Sequence, residues 1–110
     1  MEVPGGHNNK VKVFVYEFLG TSVLVYAVLA SGGDIIAVAF TVLSLIIACA
    51  QITGAHFNPA VTIGVYVKNK KWGKDFGLFM MILLAEFSGA FLGVFWTWLV
   101  LMPSYIEEKE

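Results

Sequence analysis

Apolar residues run through this chain in three long blocks, not in the short periodic stripes of a water-soluble fold. The first block, residues 13–30, is apolar except for Glu17, Thr21, Ser22 and two tyrosines. The second, 35–52, holds no charge, and Gln51 near its end is its most polar member. The third, 77–102, has Glu86 as its only charge. Each block is long enough to cross a hydrocarbon core about 30 Å thick, the third with tilt to spare. Ser31-Gly32-Gly33-Asp34 between the first two predicts a tight turn. The polar head of the chain, with Pro4-Gly5-Gly6 and Asn8-Asn9, predicts a mobile tail over 1–12 that leaves His7 in solvent. It lacks the apolar core and small-residue cleavage site of a signal peptide, so the tail is expected to stay in the mature protein. Pro103 opens an acidic C-terminal segment, 103–110.

A fourth apolar stretch breaks the pattern. Asn58 followed by Pro59 is a helix start, because Asn is a preferred N-cap and Pro at the first helical position loses only an N–H that would be orphaned anyway. The residues behind it, 59–67, are helix-compatible but stop at Lys68. At 1.5 Å per residue they reach roughly 13 Å, less than half a membrane. A loop and a short helix over 53–67 therefore read as a re-entrant half-helix, a form that survives in lipid only where protein covers it or water lines it. Residues 68–75 form a basic surface connection.

Composition agrees with a membrane class. The chain is 58% hydrophobic and 14% charged, with a mean hydropathy of +0.78, more apolar surface than a soluble domain of 110 residues could hide. Its net charge of −1 and lack of a basic patch exclude nucleic acid as an expected partner. Cys49 is single and lies in an apolar run, so it offers packing, not a disulfide framework or a metal cluster. Three crossings and one excursion put the N-terminus and the 68–75 connection on the same side. Six of the seven lysines (Lys10, Lys12, Lys68, Lys70, Lys71, Lys74) fall there and only Lys109 on the other. The excess of positive charge makes that side, with the N-terminus, cytoplasmic. Gly89-x-x-x-Gly93 and Ala27-x-x-x-Ser31 allow helices to approach closely.

The 53–62 stretch has chemistry suited to a pore. An extended backbone before the half-helix would present the carbonyls of Gly54, Ala55, His56 and Phe57 in a row. Asn58 can cap the helix with its amide oxygen and point its NH₂ at a passing water. The helix N-terminus at Pro59 and Ala60 adds partial positive charge that disfavours cations. On Asn-Pro-Ala alone, a plain N-cap in a buried turn is the stronger reading. No nucleophile–base pair, phosphate loop or metal-ligand spacing is present, so neither an enzyme nor a cofactor is expected. His56 has no Cys, Asp or second His near it in sequence.

Thr53-Gly54-Ala55-His56-Phe57-Asn58-Pro59-Ala60-Val61-Thr62 resembles the first Asn-Pro-Ala loop of the aquaporin and aquaglyceroporin family, whose usual form is Ser-Gly-Ala-His-Leu-Asn-Pro-Ala-Val-Thr. Glu17-Phe18-Leu19-Gly20-Thr21 resembles that family's first span, and Ala85-Glu86-Phe87-Ser88-Gly89-Ala90 its third, where Gln is usual in place of Glu86. The resemblance implies an all-α membrane fold of three spans and one re-entrant half-helix, one of the family's two inverted repeats. It implies that Asn58 donates to passing water and that Glu17 braces the loop by accepting hydrogen bonds from it, with His56 as a potential partner. Glu86 is expected to be a neutral or water-contacting acid that helps hold the half-helix, with a proton relay through both acids as the alternative. A second-span residue that shapes the family's filter falls on Val38 by direct counting, or on Phe40 by matching the local pattern. Val38 would leave a wider filter and Phe40 a narrower one.

The expected function is passive conduction of water, with glycerol or other small neutral solutes open, in a lipid bilayer. The resemblance covers one repeat, so a second-half segment or chain, and a higher oligomer, are expected to complete the pore. A full-length channel of which this is a fragment is the first expectation and a split channel the second, while an inverted pair of copies is disfavoured because the six-to-one lysine bias fixes one orientation. The rival reading is a structural membrane subunit derived from an aquaporin half.

Overall fold

The computed structural model describes residues 3–4 and 8–109 and is all-helical, with no strand among them. His7 lies outside the described residues. The order is α1 (Lys10–Ala30), α2 (Ile35–Thr53), α3 (Pro59–Asn69) and α4 (Trp72–Lys109). Helices α1, α2 and α4 are each long and apolar enough to cross a membrane.

Local chemistry sets most helix ends. Asn9 caps α1 by accepting the Lys12 N–H at 3.1 Å, and Asp34 caps α2 by accepting the Ala37 N–H at 2.8 Å. Helix α2 stops where Gly54 takes a left-handed φ of 85° and returns its N–H to the Ala50 carbonyl, the conformation a residue without Cβ adopts most readily. Helix α3 starts at Pro59 with Asn58 as its cap, where the Asn-Pro pair predicts it.

Both ends of α4 differ from the sequence expectation. Helix α4 begins at Trp72, not at 77, because α3 holds its first turn. Tyr66 donates its hydroxyl to the Trp72 carbonyl at 2.7 Å and stacks on Phe79 with ring centroids 4.1 Å apart. At the other end the helix runs through Pro103 to Lys109, so the acidic segment is helical. Pro103 forfeits one backbone bond, while Ser104 bonds the Leu101 carbonyl at 2.8 Å and Lys109 lies over the Tyr105 ring. A third difference lies in the tail, expected to be mobile: Val3 is buried with Val13, Leu78 and Ile82 at the seam of α1 and α4, where burial of its side chain is favourable.

Helices α1 and α4 are the axis of the fold. They run parallel, since Gly89 abuts Phe18 and Gly93 abuts Ser22 and Val25. A methyl group at Gly89 would overlap the Phe18 carbonyl oxygen, and one at Gly93 would lie 2.7 Å from the Ser22 carbonyl oxygen. The two glycines therefore let the backbones touch, as the small-residue spacing predicts. Ala27 and Ser31 are not their counterparts; Ser31 is instead the C-cap of α1. Helix α3 packs on α4, and α2 packs on α1 alone among the described elements.

Candidate functional site

The segment between α2 and α3 is folded into the bundle, and two carboxylates from different helices hold it there. Glu17 of α1 accepts the backbone N–H of His56 at 3.1 Å and of Phe57 at 2.9 Å. Glu86 of α4 accepts the N–H of Asn58 at 2.9 Å and contacts the Thr62 hydroxyl at 2.9 Å. Both carboxylates are fully buried. A buried backbone N–H without an acceptor is costly, and at this depth three consecutive ones are given carboxylate acceptors.

Threonines complete the bracing. Thr53 accepts the Ala55 N–H at 2.9 Å and its hydroxyl also bonds Glu17. Thr62 Oγ1 lies 3.1 Å from His56 Nδ1, which ties the loop to the first turn of α3. Phe57 packs its ring over Gly20, where any Cβ would overlap it. Neither Thr53 nor Thr62 was singled out by sequence, because a cross-helix partner leaves no trace in spacing. The one available signal was their place inside the 53–62 decapeptide.

Backbone geometry departs from the extended strand expected before Asn58. Gly54, Ala55 and Phe57 all have positive φ, 85°, 55° and 52°, because the N–H groups of His56 and Phe57 are both turned to one carboxylate. The carbonyls of Gly54, Ala55 and Phe57 accept no hydrogen bond from any described residue. Asn58 Oδ1 accepts the Ala60 N–H at 2.9 Å, which leaves its NH₂ as a donor with no acceptor among the described residues. Asn58 and Ala60 are exposed and Pro59 is half-buried. The N–H groups of residues 56–58 are thus bonded to α1 and α4, while three carbonyls of the loop and the Asn58 amide donor have no partner among the described residues.

His56 is buried and meets two carboxylates that are far from it in sequence. Glu17, His56 and Glu86 each bring a donor atom to within 4.8 Å of the others, although their oxygens are already engaged by backbone N–H groups and Thr62. Val38 is half-buried on α2, while Phe40 is exposed and lines a shallow groove with Val23, Thr41, Ser44 and Leu45. That groove includes no residue of the 53–62 loop.

This arrangement matches known proteins at two levels. The family model described as "Major intrinsic protein" matches residues 7–108. A "Glycerol uptake facilitator protein" of Streptococcus pneumoniae is 41% identical over 59 residues, 54% of this chain and 24% of that protein. Its namesake from a serotype 4 strain of the same species is 39% identical over the same extent. The matched stretch thus spans only 24% of the length of these relatives. No solved structure matches the chain significantly. With the family match over nearly all its residues, its three apolar helices and its braced Asn-Pro-Ala loop, the chain belongs to the major intrinsic protein family and is an integral membrane protein.

Proposed function

We propose that the chain is a component of a membrane channel for passive flow of water and small neutral polyols of the glycerol class. The observation that carries this reading is the set of unpartnered groups on the loop. Three carbonyls that accept no bond from the described residues precede an amide donor, and acceptors and a donor together can replace a solute's hydration shell. The first turn of α3 adds the positive end of a helix dipole at the same point, which disfavours cations. The relatives named for glycerol uptake give weight to glycerol beside water. Passive conduction, not catalysis, is the corresponding activity.

The pore-lining set in this reading is Gly54, Ala55, His56, Phe57, Asn58, Pro59 and Ala60, with Val38 or Phe40 as the filter position on α2. Glu17 and Glu86 are supports. A second half, from the same or another chain, faces the loop, and the N-terminus lies in the cytoplasm. Stopped-flow swelling of vesicles carrying the complete native assembly tests the reading. Asn58→Asp places a carboxylate where the amide donor stood and is expected to lower water and glycerol flux by at least about tenfold, the effect of a lost hydrogen bond to a passing solute. Unchanged flux would return the chain to a structural subunit.

A further inference from the structure

The fold gathers charge at one end of the bundle. Six of the seven lysines, Lys10, Lys12, Lys68, Lys70, Lys71 and Lys74, belong to the start of α1, the end of α3 and the start of α4. Parallel packing of α1 and α4 sets two of these segments level. Val13 meets Leu78 and Ile82, so Lys10 lies about 5 Å, and Lys74 about 6 Å, along its own helix from that contact. The third segment joins them because Tyr66 stacks on Phe79 and donates to the Trp72 carbonyl, which sets Lys68 and Lys70 beside the first turn of α4. All six lysines are exposed.

Little in the protein answers this charge. Among the described residues the one acid at that end is Asp75, which is buried, and Lys10, Lys12, Lys70, Lys71 and Lys74 make no ion pair. The positive dipole ends of α1 and α4 point the same way. Lys70 and Lys71 form the whole reversal between α3 and α4, so their like charges are held together by the backbone. The opposite end carries Asp34, Glu107 and Glu108 with Lys109 as its only lysine.

Aromatic residues mark the depth of the cluster. Trp72 and Phe76, which flank Lys74 on α4, are 52% and 55% exposed, and tryptophan favours the boundary between hydrocarbon and headgroups. Past Phe76 the next charge on α4 is Glu86. The lysines therefore stand in the headgroup layer, with their stems along apolar surface and their ammonium groups turned to phosphate. A soluble partner would have to displace lipid to reach the same groups.

We propose that this end of the bundle is a binding surface for anionic phospholipid headgroups, centred on Lys70, Lys71 and Lys74. The ligand is a phosphodiester with net negative charge. A zwitterionic headgroup brings its own cation beside the phosphate and gains less from the same lysines. Each lysine near the surface favours an anionic lipid by about fivefold. Such binding depends neither on what the protein conducts nor on which side of the membrane the lysines face.

The test is fluorescence quenching by brominated lipids, with the full chain in phosphatidylcholine bilayers. Trp96→Phe with Trp98→Phe leaves Trp72 as the single tryptophan and reports lipid at the site alone. Brominated phosphatidylglycerol is expected to bind beside Trp72 about fivefold or more tightly than brominated phosphatidylcholine at low salt. In about 1 M salt, where charges are screened beyond about 3 Å, the two should agree within about twofold. Adding Lys70→Gln, Lys71→Gln and Lys74→Gln together should remove the low-salt preference, and adding Lys109→Gln at the far end should leave it unchanged. Absence of the preference at low salt, or its persistence in high salt, overturns the proposal without any lysine variant. A loss in Lys109→Gln as large as in the triple variant would make net charge the cause and overturn it too. So would displacement of the brominated lipid by inorganic phosphate at matched ionic strength, which would make this a site for the free anion.

Discussion

Replacing Glu17 with Ala should release the loop while leaving the helices formed. The carboxylate accepts two N–H groups, from His56 at 3.1 Å and Phe57 at 2.9 Å, and both residues are buried, at 7% and 4% exposure. An orphaned buried N–H costs about 1–3 kcal/mol, so the docked loop should lose about 2–6 kcal/mol in Glu17→Ala. At about 1.4 kcal/mol per decade, even the lower bound raises opening by roughly thirtyfold. Hydrogen exchange of these two amides in bilayers reads that opening directly, with amides in the middle of α2 as the reference. Glu17→Gln keeps one acceptor oxygen and should fall between wild type and Glu17→Ala. Exchange at both amides within about threefold of wild type in Glu17→Ala would refute the bracing argument, because a fully docked loop would then not need the acceptor.

Two further substitutions separate the fold from the loop. Gly89→Leu drives a side chain into the Phe18 carbonyl and should destabilise the α1–α4 pair by about 1–3 kcal/mol or more, as overpacking does, seen as a lower thermal midpoint in detergent. Thr21 is 3% exposed and its hydroxyl has no partner among the described residues. Thr21→Val should therefore be neutral or stabilising by about 1 kcal/mol, and a clear loss of stability would show that the hydroxyl binds something.

How much of this was legible in the sequence depends on the range of the interaction. Asn58-Pro59 predicts the start of α3 because capping uses atoms two or three residues away. The bounds of α2 were equally readable, between Asp34 and Gly54. The start of α4 was not, since Trp72 is held by Tyr66 across a turn. Its far end was missed because Pro103 was read as a stop, though a proline costs a helix one bond and not its continuation. The small-residue pattern identified Gly89 and Gly93 but not Phe18, Ser22 and Val25 as what they meet on α1, because spacing cannot say which stripe faces a partner. At the site, Glu17 and Glu86 stood out as charges in apolar blocks. That they grip consecutive amides, and that Thr62 links Glu86 to His56, followed only from the parallel packing of α1 and α4.

That packing also explains why the loop can hold so unusual a backbone. Ala55 and Phe57 are left-handed without being glycine, at about 1–2 kcal/mol each. Hydrogen bonds to a charged acceptor contribute about 1.5–3 kcal/mol each, so the two that Glu17 accepts offset the strain with little left over. The balance requires the carboxylate to be already in place, which depends on how closely α1 approaches α4. Gly89 lies one turn beyond Glu86, and its contact with Phe18 falls beside Glu17. The glycine crossing therefore fixes the height at which both acids meet the loop. Widening the crossing should undo the loop even with both acids intact, so Gly89→Leu should raise exchange at Phe57 as well as lower the thermal midpoint. Were the midpoint to fall while Phe57 stayed protected, the crossing would serve the fold alone.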